Sequence, residues 1–310
     1  MANHVKISTF STCSPEAGPL RGRDAVEAMR RFWEQNLAKV TPDRPDLIVL
    51  PEVCDQFSDI PRDEQPEYLA ARGDAMLQFF AETARNHRCY IAYSALRTLK
   101  DGSWRNSIRM IDRNGNVCGC YDKNHLYLEE YEYLSIQRGP DAQTIQTDFG
   151  SVACMICFDL NFESLIQKYK PQQPDLVLFS SMYHGGIMQQ YWAYKLRAHL
   201  VSAVQGLPSH FISPAGQITA GTTNYFDTAT QQLNLDCQTV HFDFNMEKLR
   251  KLKHAYGTNV ILSDPGYLGS FIVYSNSDTV SAAHMLEEFE IEPLDTYLDR
   301  AEKRNRNPAQ

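Results

Sequence analysis

The run VACMICFDLNFES, residues 152 to 164, carries two thiols three residues apart. Val152 to Cys157 is apolar, follows the turn-like Phe149-Gly150-Ser151 and leads into the polar Asp159 and Asn161, the pattern of a buried strand that ends at a turn. Side chains alternate on a strand, so an odd separation sets Cys154 and Cys157 on opposite faces, where they neither share a metal ion nor pair easily. A redox C-x-x-C opens a helix instead. A zinc site needs a second ligand pair, and the other close pair, Cys118 and Cys120, has no histidine at knuckle spacing. Two core cysteines remain the ordinary reading, since free cysteine is among the most buried residue types. Cys157 differs from Cys154 in position: it ends the apolar run, where a strand delivers a side chain to a site.

Two further polar residues end or interrupt apolar strands. Glu52 follows Leu47-Ile48-Val49-Leu50-Pro51, and Lys123 lies in CYDKNHL. A charge at a buried strand end is costly unless paired. Taken singly, these residues read equally well as a solvated acid, a surface lysine and core filler. Together they supply a carboxylate, an ammonium and a thiol, the parts needed for acyl transfer. The thiol attacks only as thiolate and needs a base, and the tetrahedral oxyanion needs positive charge or N–H donors.

The rest of the chain must position these groups. With 310 residues, 43% hydrophobic and 22% charged, it is long enough for one large α/β domain or two small ones. A net charge of -8 argues against a nucleic-acid groove. No stretch approaches the ~18 apolar residues of a membrane span, and the start lacks a signal-peptide core. These features point to a cytoplasmic protein without nucleic-acid or membrane partners, whose eight cysteines stay reduced.

Strand and helix patterns alternate. Val5 to Phe10 and Leu47 to Leu50 read as strands, residues 23–40 and 67–86 as helices, and 90–96 and 106–120 as strands, the latter folded at Asn114-Gly115. After Cys157 the pattern predicts a helix over 163–169, a strand over 176–179, a helix over 188–205 and strands over 209–213 and 218–221. In the 188–205 segment Trp192, Leu196, Leu200 and Val204 recur at four-residue intervals, one buried helical stripe. Residues 276–310 read as a C-terminal extension with a helix ending in the basic Arg300 to Arg306 stretch. PDLIVLPE (45–52) echoes PDLVLFSS (174–181), and MIDRNGNVCG (110–119) echoes ISPAGQITAG (212–221). Repeated order suggests two similar halves, and two mixed sheets packed together with helices outside would bury both strand sets.

The order LPE with Glu52, DKNHL with Lys123 and CFD with Cys157 resembles the carbon-nitrogen hydrolase family, the nitrilase superfamily, in its amidase-like branch. The resemblance runs from about residue 5 to 275, and also takes in PDLVLFSSMYHGG, YWAYKLRAHLVSA and SPAGQITAG. It implies an α/β fold, a four-layer α-β-β-α sandwich with two mixed sheets and pseudo-twofold halves. Residues 1–275 would form the hydrolase domain, with 276–310 as an extension within the same folded unit or at a dimer interface.

By that resemblance Glu52 is the general base, Cys157 the nucleophile, and Lys123 the oxyanion stabiliser with a backbone N–H beside Cys157. A second glutamate is assigned to Glu130, with Glu129 as the close alternative. In HLYLEEYEYL the charges of Glu129, Glu130 and Glu132 would not all be buried together. Phe158, Tyr183 and His184 are assigned to substrate binding. No metal or organic cofactor is implied, and a homodimer or higher homo-oligomer is. The expected reaction is hydrolysis of a small-molecule amide through a thioester. N-carbamoyl amide hydrolysis, acyl transfer to an amine, and a non-catalytic interaction protein are the alternatives. The family's C-Y-D-x-R-F-P-E becomes Cys157-Phe158-Asp159-Leu160-Asn161-Phe162-Glu163-Ser164 here, so the arginine that could read a carboxylate is missing.

Overall fold

The computed structural model describes residues 1–132 and 135–306, so the last four residues of the expected extension, 307–310, lie outside the described residues. Along the chain come β1 (His4–Phe10), α1 (Gly22–Leu37), β2 (Leu47–Val49), α2 (Gln65–Arg72), α3 (Ala75–His87), β3 (Tyr90–Thr98), β4 (Trp104–Ile111), β5 (Val117–Asp122), α4 (Leu128–Glu132), β6 (Ile145–Thr147) and β7 (Gly150–Ile156). Then follow α5 (Glu163–Tyr169), β8 (Leu176–Ser181), α6 (Ile187–Leu196), β9 (His199–Val204), β10 (His210–Ile212), β11 (Ile218–Gly221) and β12 (Thr228–Asn234).

Two six-stranded mixed sheets result, in the orders β12-β1-β2-β3-β4-β5 and β11-β10-β9-β8-β7-β6. Read outward from β12 and from β6, both show the same sequence of pairings: antiparallel, parallel, parallel, antiparallel, antiparallel. This repeat makes β2 the counterpart of β8, and the β4–β5 turn the counterpart of the β10–β11 turn. Those are the segments whose sequences echo each other.

Strand alternation divides the first sheet between two cores. Val5, Ile7, Leu47, Val49, Ile108 and Met110 join the second sheet in one apolar cluster, which continues to Leu165 of α5 and Trp192 of α6. Ile48, Ile91, Tyr93 and Ala95 pack instead with Met29 and Trp33 of α1 and with Met76 and Phe80 of α3. The layers therefore run α-β-β-α. Cross-sheet hydrogen bonds pin the register of the two sheets, with Thr9 Oγ1 donating to Ser202 O at 2.6 Å and Ser180 Oγ to Leu50 O at 2.8 Å. Beyond β12 the chain adds β13 (Cys237–His241), α7 (Met246–Tyr256), β14 (Val260–Ser263), β15 (Ser270–Ser275), α8 (Ala282–Glu288) and α9 (Leu294–Arg306). The sheet β13-β15-β14 shares a small core of Val240, Leu249, Leu252, Val273, Met285 and Leu286 with α7 and α8. Among the described residues no helix is long and apolar enough to cross a membrane.

Two expected elements are corrected. The 67–86 helix is two helices, α2 and α3, because Gly73 adopts φ 45°, a left-handed conformation that glycine takes without a Cβ clash. The 188–205 helix stops at Leu196, where Arg197 takes φ 55°, and the chain turns into β9. Leu200 and Val204 therefore belong to a strand, and the four-residue stripe does not exist. Trp192 and Leu196 are buried in this chain's own core.

Candidate active site

Lys123 follows β5 directly and is 1% exposed, with its ammonium between two carboxylates. Nζ lies 3.0 Å from Glu52 Oε1 and 2.9 Å from Glu130 Oε2. Burial alone would lower the lysine's pKa, but the charges of Glu52 and Glu130 outweigh it and hold the group well above the ordinary lysine range. Of the three expected acids, Glu130 is the one that reaches Lys123. Glu129 faces outward to Arg62 at 2.7 Å, and Glu132 is exposed. Burial raises the Glu130 pKa, with Lys123 opposing and Glu52 adding to the rise.

Glu52 sits three residues beyond β2, beside Val53, a β-branched residue held at φ 42°. Such a conformation is strained and persists only where surrounding bonds enforce it. Those bonds are present. Glu52 Oε1 also accepts from Asn106 Nδ2 at 2.8 Å, its Oε2 from the Met182 backbone N–H at 3.1 Å, and its carbonyl from Gln205 Nε2 at 2.6 Å. Asn106 reaches Glu130 as well, at 3.3 Å, and the Tyr127 N–H closes the cluster on Glu130 at 3.0 Å.

Cys157 is half-buried just past the last residue of β7, at φ 48°. Strand alternation thus ends at Ile156, and it is this left-handed elbow, rather than the parity expected from the sequence, that separates Cys157 from the buried Cys154. Asp159 holds the elbow from below. Its carboxylate accepts from the Ile156 N–H at 3.0 Å, the His125 N–H at 2.8 Å and the Tyr121 hydroxyl at 2.7 Å. Because Tyr121 and His125 flank Lys123, this one buried acid ties the Cys157 elbow to the lysine's segment. Gly139 closes that segment from the other side, where a Cβ would stand 2.2 Å from Asp122 O. Burial and the charge of Glu52 push the Cys157 thiol up to about 12, with Lys123 and the Ser181 side chain pulling the other way.

The three residues assigned to substrate binding occupy different places. Burial, and then the nearby Cys157, raise the Tyr183 hydroxyl to about 12, and that hydroxyl accepts a bond from Asn161 Nδ2 at 3.1 Å. Phe158 is half-buried, packs its edge on Phe162 and accepts at its carbonyl from Asn161. His184 turns to its own loop. Its Nδ1 accepts from the Gly186 N–H at 3.1 Å and its ring faces His210. Among the described residues it makes no bond to the Glu52–Lys123–Glu130 cluster.

Sequence reasoning missed Asn106, Ser181 and the structural part of Asp159. A signal existed for Asn106, because asparagine is unfavourable inside a strand and this one lies in mid-β4, 2% exposed. The Met182 N–H had none, since backbone donors carry no side-chain signature.

The chain is similar to several known proteins. A 2-oxoglutaramate amidase from Bacillus subtilis is 23% identical over 136 residues, 44% of this chain and 52% of that protein, so the match spans about half the relative's length. The crystal structure of an amidase from Nesterenkonia sp. superposes with a TM-score of 0.65 at 18% identity, covering 76% of this chain and 92% of the other. A glutamate-to-glutamine mutant of that amidase, which carries the acetamide moiety of fluoroacetamide on its active-site cysteine, gives a TM-score of 0.65 at 17% identity over 82% of this chain and 97% of its own. Residues 24–242 match the family model described as carbon-nitrogen hydrolase, and the chain belongs to that family.

Proposed function

We propose that the protein hydrolyses the C–N bond of a small amide through a thioester on Cys157. The observation that carries this reading is the convergence of Glu52, Lys123 and Cys157 at strand ends far apart in sequence. Glu52 takes the thiol proton as sulfur bonds to the carbonyl carbon. Negative charge moves from Glu52 to the carbonyl oxygen, where Lys123 and a backbone N–H beside Cys157 receive it. Two of the lysine's three N–H donors are held by Glu52 and Glu130, which leaves one for the oxyanion. The C–N bond then breaks as Glu52 returns the proton to the leaving nitrogen. Water attacks the thioester, gives its proton to Glu52, and the carboxylic acid and the thiol are released.

Burial and the charge of Glu52 disfavour the free thiolate, which favours proton transfer to Glu52 as the bond to carbon forms. The covalent adduct on the cysteine of the Nesterenkonia amidase supports the same nucleophile here. Asn161 stands where a cation could have read a substrate carboxylate, and its amide nitrogen bonds the Phe158 carbonyl and the Tyr183 hydroxyl. This favours an uncharged acyl group. Ammonia release from a panel of uncharged aliphatic amides, N-carbamoyl amino acids and nitriles tests the reading. Turnover of the amides, lost in Cys157→Ala, is expected. Preference for the carbamoyl compounds or nitriles, or turnover by Cys157→Ala, would overturn it.

A further inference from the structure

A cavity lies on the helix-covered face of the first sheet, at the joint between α2 and α3. It has a volume of about 530 Å³, and Glu52, Lys123, Glu130 and Cys157 are not among its lining residues. Three guanidinium groups reach it. Arg72 is committed to Asp55 at 2.9 Å and to the Leu96 carbonyl at 2.7 Å, and Arg97 to Asp122 at 2.6 Å. Arg109 is different. Its guanidinium lies over the Tyr93 ring, 4.7 Å from the centroid, its Nε has no acceptor, and it forms no ion pair among the described residues.

With its face over the ring and its Nε enclosed by protein, the guanidinium has its two terminal nitrogens, Nη1 and Nη2, left to meet a ligand. The edge of an arginine matches a carboxylate or phosphate. A cation with no ion-pair partner among the described residues is notable in a chain whose net charge is -8. The rest of the wall includes Leu69 and Val117, which suit an apolar body, and one acidic residue, Asp74. The volume falls within the ~300–1,000 Å³ of small-molecule sites, far more than an inorganic ion fills.

We propose that this cavity binds a small organic oxyanion, a carboxylate or phosphate monoester whose head group meets the edge of Arg109 and whose apolar body lies against Leu69 and Val117. The site rests on different residues from the hydrolase reading and stands or falls apart from it.

Isothermal titration of the full chain with benzoate, phenyl phosphate and inorganic phosphate tests it and separates the two head-group chemistries. At least one of the two aromatic probes should bind saturably, more tightly than inorganic phosphate and less tightly as salt is added. Arg109→Gln should weaken that binding about 10-fold or more. Val117→Asp, a change at a half-exposed position that sets a negative charge at the cavity wall, should do the same without disturbing the core. The proposal is overturned if neither aromatic probe binds below ~10 mM, or if both variants bind them as the wild type does.

Discussion

The two halves of the sandwich repeat one strand pattern and end their central strands differently. In the first half β2 leads to Glu52, and in the second its counterpart β8 ends at Ser181, the residue that the PDLIVLPE and PDLVLFSS echo aligns with Glu52. The reverse holds one strand over. β7 delivers Cys157, whereas its counterpart β1 is followed by Ser11. Each pair of equivalent strand ends holds one reactive group and one serine, and the reactive groups come from different halves. They are also held differently. Lys123, Asn106 and the Met182 N–H hold the Glu52 carboxylate, while the Cys157 thiol is acted on by Glu52, Lys123 and the Ser181 side chain. A duplicated frame thus gives the proposed base from one copy and the proposed nucleophile from the other.

Removing either reactive group should produce the largest effect. Cys157→Ala and Glu52→Gln should each lower turnover about 10⁴-fold or more, because the two act as one unit. Ammonia release measures this, and circular dichroism should show both variants folded. Cys157→Ser should be similarly impaired.

Undermining the thiol elbow comes next. Asp159→Ala leaves three donors without their buried acceptor and should cost about 3 kcal/mol of stability by urea unfolding, with Asp159→Asn losing less. On the other side of the comparison, Asn106→Ala loosens Glu52. It should reduce kcat/KM about 10- to 100-fold, since hydrogen bonds to charged groups are worth roughly 1.5–3 kcal/mol. Its effect should fall on kcat more than on KM. Cys154→Ala should keep substantial activity and cost about 1–2 kcal/mol, a core packing loss.

The smallest effect concerns pH. Negative charge on Glu52 disfavours the thiolate, so wild-type Cys157 should be alkylated faster as pH rises, with no plateau near neutrality. Glu52→Gln removes that charge and should shift the alkylation profile to lower pH even as turnover collapses. A profile unmoved by Glu52→Gln would mean that the carboxylate and the thiol do not interact.

Much of the fold was legible because its strands are apolar runs ended by polar residues, and because the two halves repeat. Glu52, Lys123 and Cys157 stood out for the same reason, each a polar group where an apolar strand stops. The segment 188–205 was misread because a strand buried on both faces shows no alternation, and Leu200 and Val204 continued a helical spacing begun by Trp192 and Leu196. The break at Arg197 was invisible, since a non-glycine residue with positive φ leaves no trace in composition. Asn106 and Asp159 were hidden differently. Their importance lies in which distant groups they join, and only the folded chain brings Glu52, Glu130, Tyr121 and His125 to them.

Acid-quenched intact mass after mixing with a turned-over amide, followed by peptide mapping, tests the assignment of the nucleophile most directly. The expected result is an acyl adduct of the substrate's mass on the peptide carrying Cys157, absent from Cys157→Ala and lost on base treatment as a thioester would be. An adduct mapped to Cys154 or any other residue, or one that persists in Cys157→Ala, would contradict it.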